Sequence, residues 1–269
     1  ADRASRMTLT KPLTLVFSYD EEIGCVGIQQ MLGVLPPLLG NPTLCLVGEP
    51  TEMQIAVGHK GKAAIRATCV GQNGHSALAP KFVNALHLAC DFTARLREIQ
   101  DQLSTAGARD EAYDIPFSTV HVGMMQGGKA LNIVPHEAEV TFECRHLAEE
   151  DPEAIFARIS KAASDVAARY QADWSGAEIK LDRYKTYPAH SVSLIDPVVA
   201  IAQNVARTNT VVKVPFGTEA GLFAQIGIPT IVCGPGSMEG QGHKPDEDIE
   251  IAQLKACEAM MDRVLGLLI

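Results

Sequence analysis

No apolar run in this 269-residue sequence is long enough to cross a bilayer, because charged residues interrupt each one. Basic residues are in deficit, with 23 Lys and Arg against 32 Asp and Glu and a formal net charge of −9. No basic tract gathers those cations, so tight binding to nucleic acid or to an anionic membrane is not expected; both need clustered Lys and Arg. Cysteine pairs are also missing. The seven cysteines (25, 45, 69, 90, 144, 233 and 257) are odd in number, scattered, and form no C-x-x-C. That argues against a thiolate zinc site and points to a reduced, cytoplasmic setting. The opening, Ala1-Asp2-Arg3-Ala4-Ser5-Arg6, is polar and unlike a secretory signal. It lacks an initial Met, reads as the tail of a helix and runs almost at once into a strand, an odd start for a complete domain. Neither an internal repeat nor a low-complexity tract is found.

What is present is the composition of a globular protein, 46% hydrophobic and 20% charged. Residues 13–18 and 43–47 read as continuous apolar strands, with a helix from about 25 to 33 between them that Pro36, Pro37 and Gly40 close. Such strands alternating with helices predict a parallel sheet covered on both faces. The texture changes after Gly58. Residues 62–70 alternate as a half-buried strand does. A helix over about 83–104, strands near 117–125 and 137–147, a helix over about 152–171 and a strand near 177–184 follow. This β-α-β-β-α-β order is the ferredoxin-like split motif. The α/β texture returns with a helix at about 196–208, strands at 211–214 and 229–233, a helix after Gly217-Thr218-Glu219-Ala220, and a last helix at about 249–268. The expected organisation is an α/β catalytic domain in two pieces, 1–59 and 185–269, with a smaller α+β domain, 60–184, inserted between them.

Three sites lie just beyond expected strands of the α/β part: Asp20-Glu21-Glu22, Gly48-Glu49-Pro50-Thr51, and Gly234-Pro235-Gly236-Ser237 leading to His243. Carboxyl ends of strands line the binding crevice of open α/β sheets. Carboxylate oxygen and imidazole nitrogen are zinc-type ligands. Neighbouring Glu21 and Glu22 diverge, so one can hold a metal ion while the other takes a proton from an attacking water. The plain alternative is that these are solvated loop carboxylates.

Taken in order, Ser18-Tyr19-Asp20-Glu21-Glu22-Ile23-Gly24, Gly48-Glu49-Pro50-Thr51, Gly74-His75-Ser76, Gly217-Thr218-Glu219-Ala220, Gly234-Pro235-Gly236-Ser237 and His243-Lys244-Pro245-Asp246-Glu247 resemble the successive motifs of the metal-dependent aminoacylase and carboxypeptidase family, and within it the acetylornithine deacetylase branch. The match covers nearly the whole chain, inserted domain included. The resemblance implies a partial parallel-sheet zinc-hydrolase catalytic domain with an inserted ferredoxin-like dimerisation (lid) domain. It implies Glu21 as general base, Glu22 and His243 as ligands of one metal, and Glu49 as ligand of the other. Zinc is the implied metal, two ions per complete site, with cobalt possible. His75 would polarise the scissile carbonyl, often across a dimer interface; a surface loop His is the alternative. Arg145 would hold a substrate carboxylate, for which guanidinium geometry is suited; a surface salt bridge is the alternative. Asn132, beside Gly127-Gly128, would reach substrate, and Thr218, Gly234 and Gly236 would line the pocket. Glu219 reads as structural.

The implied reaction is removal of the acyl group of an N-acyl amino acid, N-acetylornithine foremost, as in arginine biosynthesis, by a homodimer paired through residues 60–184. Succinyl-diaminopimelate desuccinylase or a metallocarboxypeptidase is the neighbouring reading. The family also supplies a His-x-Asp segment and a bridging Asp ahead of the Glu-Glu pair, and no His here is followed two positions later by Asp. Catalytic zinc takes three protein ligands. The expectation is therefore a chain lacking the N-terminal part of the site and inactive alone. A second reading, of another class, is a non-catalytic fragment serving as a dimerisation module.

Overall fold

Continuous and alternating apolar patterns correspond to two different sheets. The computed structural model describes residues 2–242 and 244–269. The chain divides into two units, residues 1–60 with 187–269, and residues 61–186.

The first unit opens with α1 (Asp2–Ser5), α2 (Val26–Met31), α3 (Leu35–Leu39), β1 (Cys45–Val47) and β2 (Ile55–His59). The inserted unit follows with β3 (Gly61–Val70), β4 (Gly74–His75), a 3-10 helix (Ser76–Lys81), α4 (Ala85–Ala106), β5 (Thr119–Gly127), β6 (Ile133–Val134), β7 (Glu137–His146), α5 (Pro152–Gln171) and β8 (Glu178–Tyr187). The chain then completes the first unit with β9 (His190–Ser191), α6 (Pro197–Ala206), β10 (Val211–Val214), α7 (Ala220–Gln225), β11 (Thr230–Val232) and α8 (Ile251–Gly266).

In the first unit the sheet runs β1-β11-β2-β10, with β9 also on β2. The expected parallel pairing holds for β1 with β11 and for β2 with β10. The sheet is nevertheless mixed, because β2 is antiparallel to β11 and to β9. Alternation along β2 divides the core. Ile55 and Val57 pack with Val198, Val199 and Ala202 of α6 and with Met260 of α8, while Ala56 packs with Val232, Val214 and Ala220. Ile28, Leu222 and Phe223 form a further cluster against Cys45 and Val47.

Two expectations fail here. Residues 12–18 have no regular structure, and Leu15 and Phe17 are exposed. A strand is a paired state, and no described strand offers this segment a ladder. β2 was not anticipated. It is five residues long and contains Gly58, yet it lies buried at the sheet's centre.

In the inserted unit the order is β5-β7-β3-β8, the ferredoxin-like arrangement expected from the sequence. Ile65, Ala67 and Cys69 of β3 face Phe142, Val140 and Ala138 of β7 across the ladder. Those side chains form one core with Leu88, Phe92 and Leu96 of α4 and with Ile155 and Ile159 of α5. Phe92 and Phe142 meet edge to face at 5.8 Å. Helix starts are capped. The Asn84 side chain accepts from Leu86 N at 2.9 Å, and Asp151 accepts from Glu153 N at 2.9 Å with Pro152 in the first turn. A short β4–β6 ladder was not anticipated. No described helix is long and apolar enough to cross a membrane.

Candidate active site

Two loops of the first unit are fastened together by their backbones. After β1 the chain passes Gly48 and Glu49; after β11 it passes Gly234, Pro235 and Gly236. Thr51 N donates to Gly234 O at 3.1 Å, Met53 N to the same oxygen at 3.0 Å, and Glu52 N to Gly236 O at 2.8 Å. The Thr51 hydroxyl oxygen accepts from Gly234 N at 3.2 Å. The approach is close enough that a Cβ on Gly234 would lie 2.5 Å from Gly48 O and 2.6 Å from Glu49 O. Gly236 sits at φ +99°, a conformation that favours glycine. Glu49, Gly234 and Gly236 are therefore held as one rigid corner.

Glu21 and Glu22 lie in the tight turn that leads into α2. The turn reverses the chain with Asp20 at φ 56°, Gly24 at φ 112° and Cys25 at φ 54°. Gly27 N donates to Tyr19 O at 3.1 Å, and a Cβ at Gly27 would meet that oxygen at 2.1 Å. Only glycine lets α2 close onto the turn. Cys25, 1% exposed, bonds through its thiol to Glu21 Oε1 at 3.3 Å.

Electrostatics connects the turn to the corner. Burial first, and then the charges of Glu21, Glu22 and Glu219, push the Glu49 carboxyl up to about 7. Glu219, which precedes α7, is also raised by burial, although the Ser18 hydroxyl bonds its carboxyl. Its Oε1 is buried without a hydrogen-bond partner. The charges of three carboxylates, Glu21, Glu22 and Glu219, thus reach Glu49. Sequence reasoning treated Glu219 as structural; Gly217, whose Cβ would strike the Tyr187 ring at 2.1 Å, shows how tightly that motif is packed. Thr218 is fully buried, and its hydroxyl oxygen accepts from the backbone N of Ala220, the first residue of α7, at 3.0 Å.

In donor chemistry and charge this cluster fits a divalent cation, since carboxylates are hard oxygen ligands also accepted by zinc. In number the fit is incomplete. No group of three or more His, Cys, Asp and Glu among the described residues could hold a metal ion. His243 lies outside the described residues.

The other expected site residues belong to the inserted unit. His75, exposed, caps the 3-10 helix: its Nδ1 accepts from Ala77 N at 3.1 Å. A neutral ring then carries its proton on Nε2. Asn132 is its neighbour across the β4–β6 pair, where His75 faces Ile133 and Asn132 O accepts from Ser76 N at 3.1 Å. Arg145 lies on β7 opposite Lys62, and its Nε donates to Glu143 Oε1 at 2.9 Å. Lys62 Nζ reaches the other oxygen of Glu143 at 2.9 Å. Burial alone would raise Glu143, but the hydrogen bonds and charges of Lys62 and Arg145 outweigh it and hold the carboxyl below its ordinary value.

Comparison with known proteins adds a set of similarities. Residues 57–171 match the peptidase dimerisation domain. The acetylornithine deacetylase of Myxococcus xanthus is 29% identical over 96% of this chain, and that of Salmonella heidelberg 28% identical over 96%. This chain spans 65% and 64% of the length of those two relatives. Among solved structures, the aminopeptidase PepT of Bacillus cereus shares the fold with a TM-score of 0.69 at 22% identity, covering 93% of this chain and 62% of its own. The dipeptidase Dug1p of Saccharomyces cerevisiae does so with a TM-score of 0.66 at 10% identity, covering 91% and 63%. Residues 57–171 are thus similar to a peptidase dimerisation domain, and the chain over nearly all its length is similar to acetylornithine deacetylases.

Proposed function

We propose that the whole protein containing this chain is a metal-dependent amidohydrolase that cleaves N-acyl amino acids, N-acetylornithine foremost, to the free amine and a carboxylate. The observation that carries this reading is the gathering of Glu21, Glu22 and Glu219 about Glu49, whose carboxyl is pushed up to about 7 by burial first and then by their charges. Like-charged groups gathered at a site are a common mark of function. The 28–29% identity to acetylornithine deacetylases over 96% of the chain supports the choice of substrate.

In this reading Glu22, Glu49 and His243 contribute ligands, with zinc as the first candidate and cobalt as the alternative. The bound metal would polarise the acyl oxygen and acidify water. Glu21 takes a proton from the water that adds to the acyl carbon. The C–N bond breaks and the proton passes to the departing amine, giving acetate and ornithine. His75, with its proton on Nε2, has the donor needed to polarise a carbonyl. Arg145 and Asn132 hold the substrate carboxylate and backbone, and Thr218, Gly234 and Gly236 shape the pocket wall. Pairing of two copies through residues 60–184 and a cytoplasmic setting belong to the same proposal; the dimerisation domain matched over 57–171 supports the pairing.

A second reading is a non-catalytic dimerisation module, for which the sequence feature is that no His is followed two positions later by Asp. Elemental analysis of this chain separates the two: fewer than one tightly held ion per chain supports the module, and two stoichiometric ions exclude it. The main reading is tested on the full-length protein supplied with zinc or cobalt and assayed on N-acetylornithine, N-succinyl-diaminopimelate and dipeptides. Acetate release from N-acetylornithine should show the highest kcat/KM. Hydrolysis of none of them would end the proposal.

A further inference from the structure

The thiol of Cys25 is hydrogen-bonded to the carboxylate four residues earlier. Its geometry is unusual for a structural cysteine. Cys25 occupies a left-handed conformation, φ 54°, at the start of α2, which a non-glycine residue adopts at some cost. The side chain is 1% exposed among Ile28, Leu222 and Phe223. Cys25 N donates to Glu21 O at 2.8 Å while Sγ reaches Glu21 Oε1 at 3.3 Å. Backbone and side chain of the same residue thus grip the backbone and side chain of Glu21.

We infer that Cys25 is a positioning residue for Glu21, its thiol hydrogen bond holding the carboxylate in one orientation for proton transfer. This rests on the reading of Glu21 as general base. Burial keeps the thiol protonated, and the charges of Glu21, Glu219 and Glu49 act the same way. The sulfur is thereby a standing donor rather than a nucleophile, since reactivity belongs to the thiolate. A carboxylate on the surface of a turn samples several rotamers. One held by a donor within its own turn keeps a fixed set of lone pairs turned toward its target, and misplacement at such sites is costly in rate.

The test has two arms. In this chain, the S–H stretching band assigned to Cys25 by difference against Cys25→Ala should shift when Glu21 is changed to Gln, a weaker acceptor. No shift means no bond and overturns the inference. In the full-length protein, Cys25→Ala should lower kcat for deacetylation about tenfold with KM within about twofold, the scale of one hydrogen bond lost in the transition state. Cys25→Ser, which keeps a donor, should recover most of the loss. Wild-type kcat in Cys25→Ala, or a loss that serine does not restore, overturns the positioning role. Glu21→Gln serves as the reference. If it is inactive while Cys25→Ala is fully active, only the present inference fails. If Glu21→Gln keeps wild-type activity, the base assignment fails and takes the role of Cys25 with it.

Discussion

Glu21 and Gly234 show how differently two residues of one site can answer to substitution. Gln keeps the size of the half-buried Glu21 and an oxygen for the Cys25 thiol, so Glu21→Gln should leave thermal unfolding nearly unchanged while lowering kcat of the full-length protein by about 10²–10⁴-fold, the usual worth of a general base. Equal kcat in the two proteins would remove Glu21 from the reaction. Gly234 is the reverse case. A methyl there meets Gly48 O at 2.5 Å and Glu49 O at 2.6 Å, both backbone atoms that cannot swing away. Gly234→Ala should cost about 1–3 kcal/mol in denaturant unfolding, and a neutral result would show that the corner yields. The two residues also differ in how readable they were. Glu21, Glu22 and Glu49 could be singled out because carboxylates at strand ends have a chemical meaning. The buried, unpartnered Glu219 Oε1 could not, because burial arises from packing of α7 against distant segments.

Elements with strong local signals were the legible ones. α5 carries an Asp-Pro start and an apolar stripe of Ile155, Ile159 and Val166, and its observed span, Pro152–Gln171, is the one its sequence indicates. The cap can be measured: Asp151→Ala should destabilise the inserted unit by about 1 kcal/mol, while Asp151→Asn should stay within a few tenths. Trp174, the sole tryptophan, packs at the edge of that unit's core, so its fluorescence follows this unit alone. Residues 13–18 and β2 failed in opposite directions for one reason. Strand formation depends on a neighbour that local sequence does not contain. The Leu-Thr-Leu-Val-Phe-Ser run has strand composition without a described partner, and Ile55–His59 has a partner on each side with little strand composition.

At the scale of the molecule the two units should respond to pH through different groups. In the inserted unit, burial holds His146 below its ordinary value, against the pull of the Leu147 carbonyl and of Glu150 and Asp151. Lys62 and Arg145 hold Glu143 low despite burial. Both folded values are depressed, so both contributions are present at high pH and are lost as pH falls. The first declines below about 6.5 and the second below about 4.3, the unfolded values. Urea midpoints read from Trp174 should fall in these two stages, and His146→Gln should flatten the first. A midpoint constant from pH 8 to pH 5 would contradict the first assignment, and one constant from pH 5 to pH 2 the second.

In the other unit the carboxyl cluster raises a larger question, whether Glu22 and Glu49 serve a cation. The direct measurement is chelator treatment and reconstitution of the full-length protein. Acetylornithine hydrolysis should disappear with the metal, return on addition of zinc or cobalt, and fail to return in Glu49→Ala. Hydrolysis that survives complete removal of metal, or that Glu49→Ala leaves intact, would contradict the account.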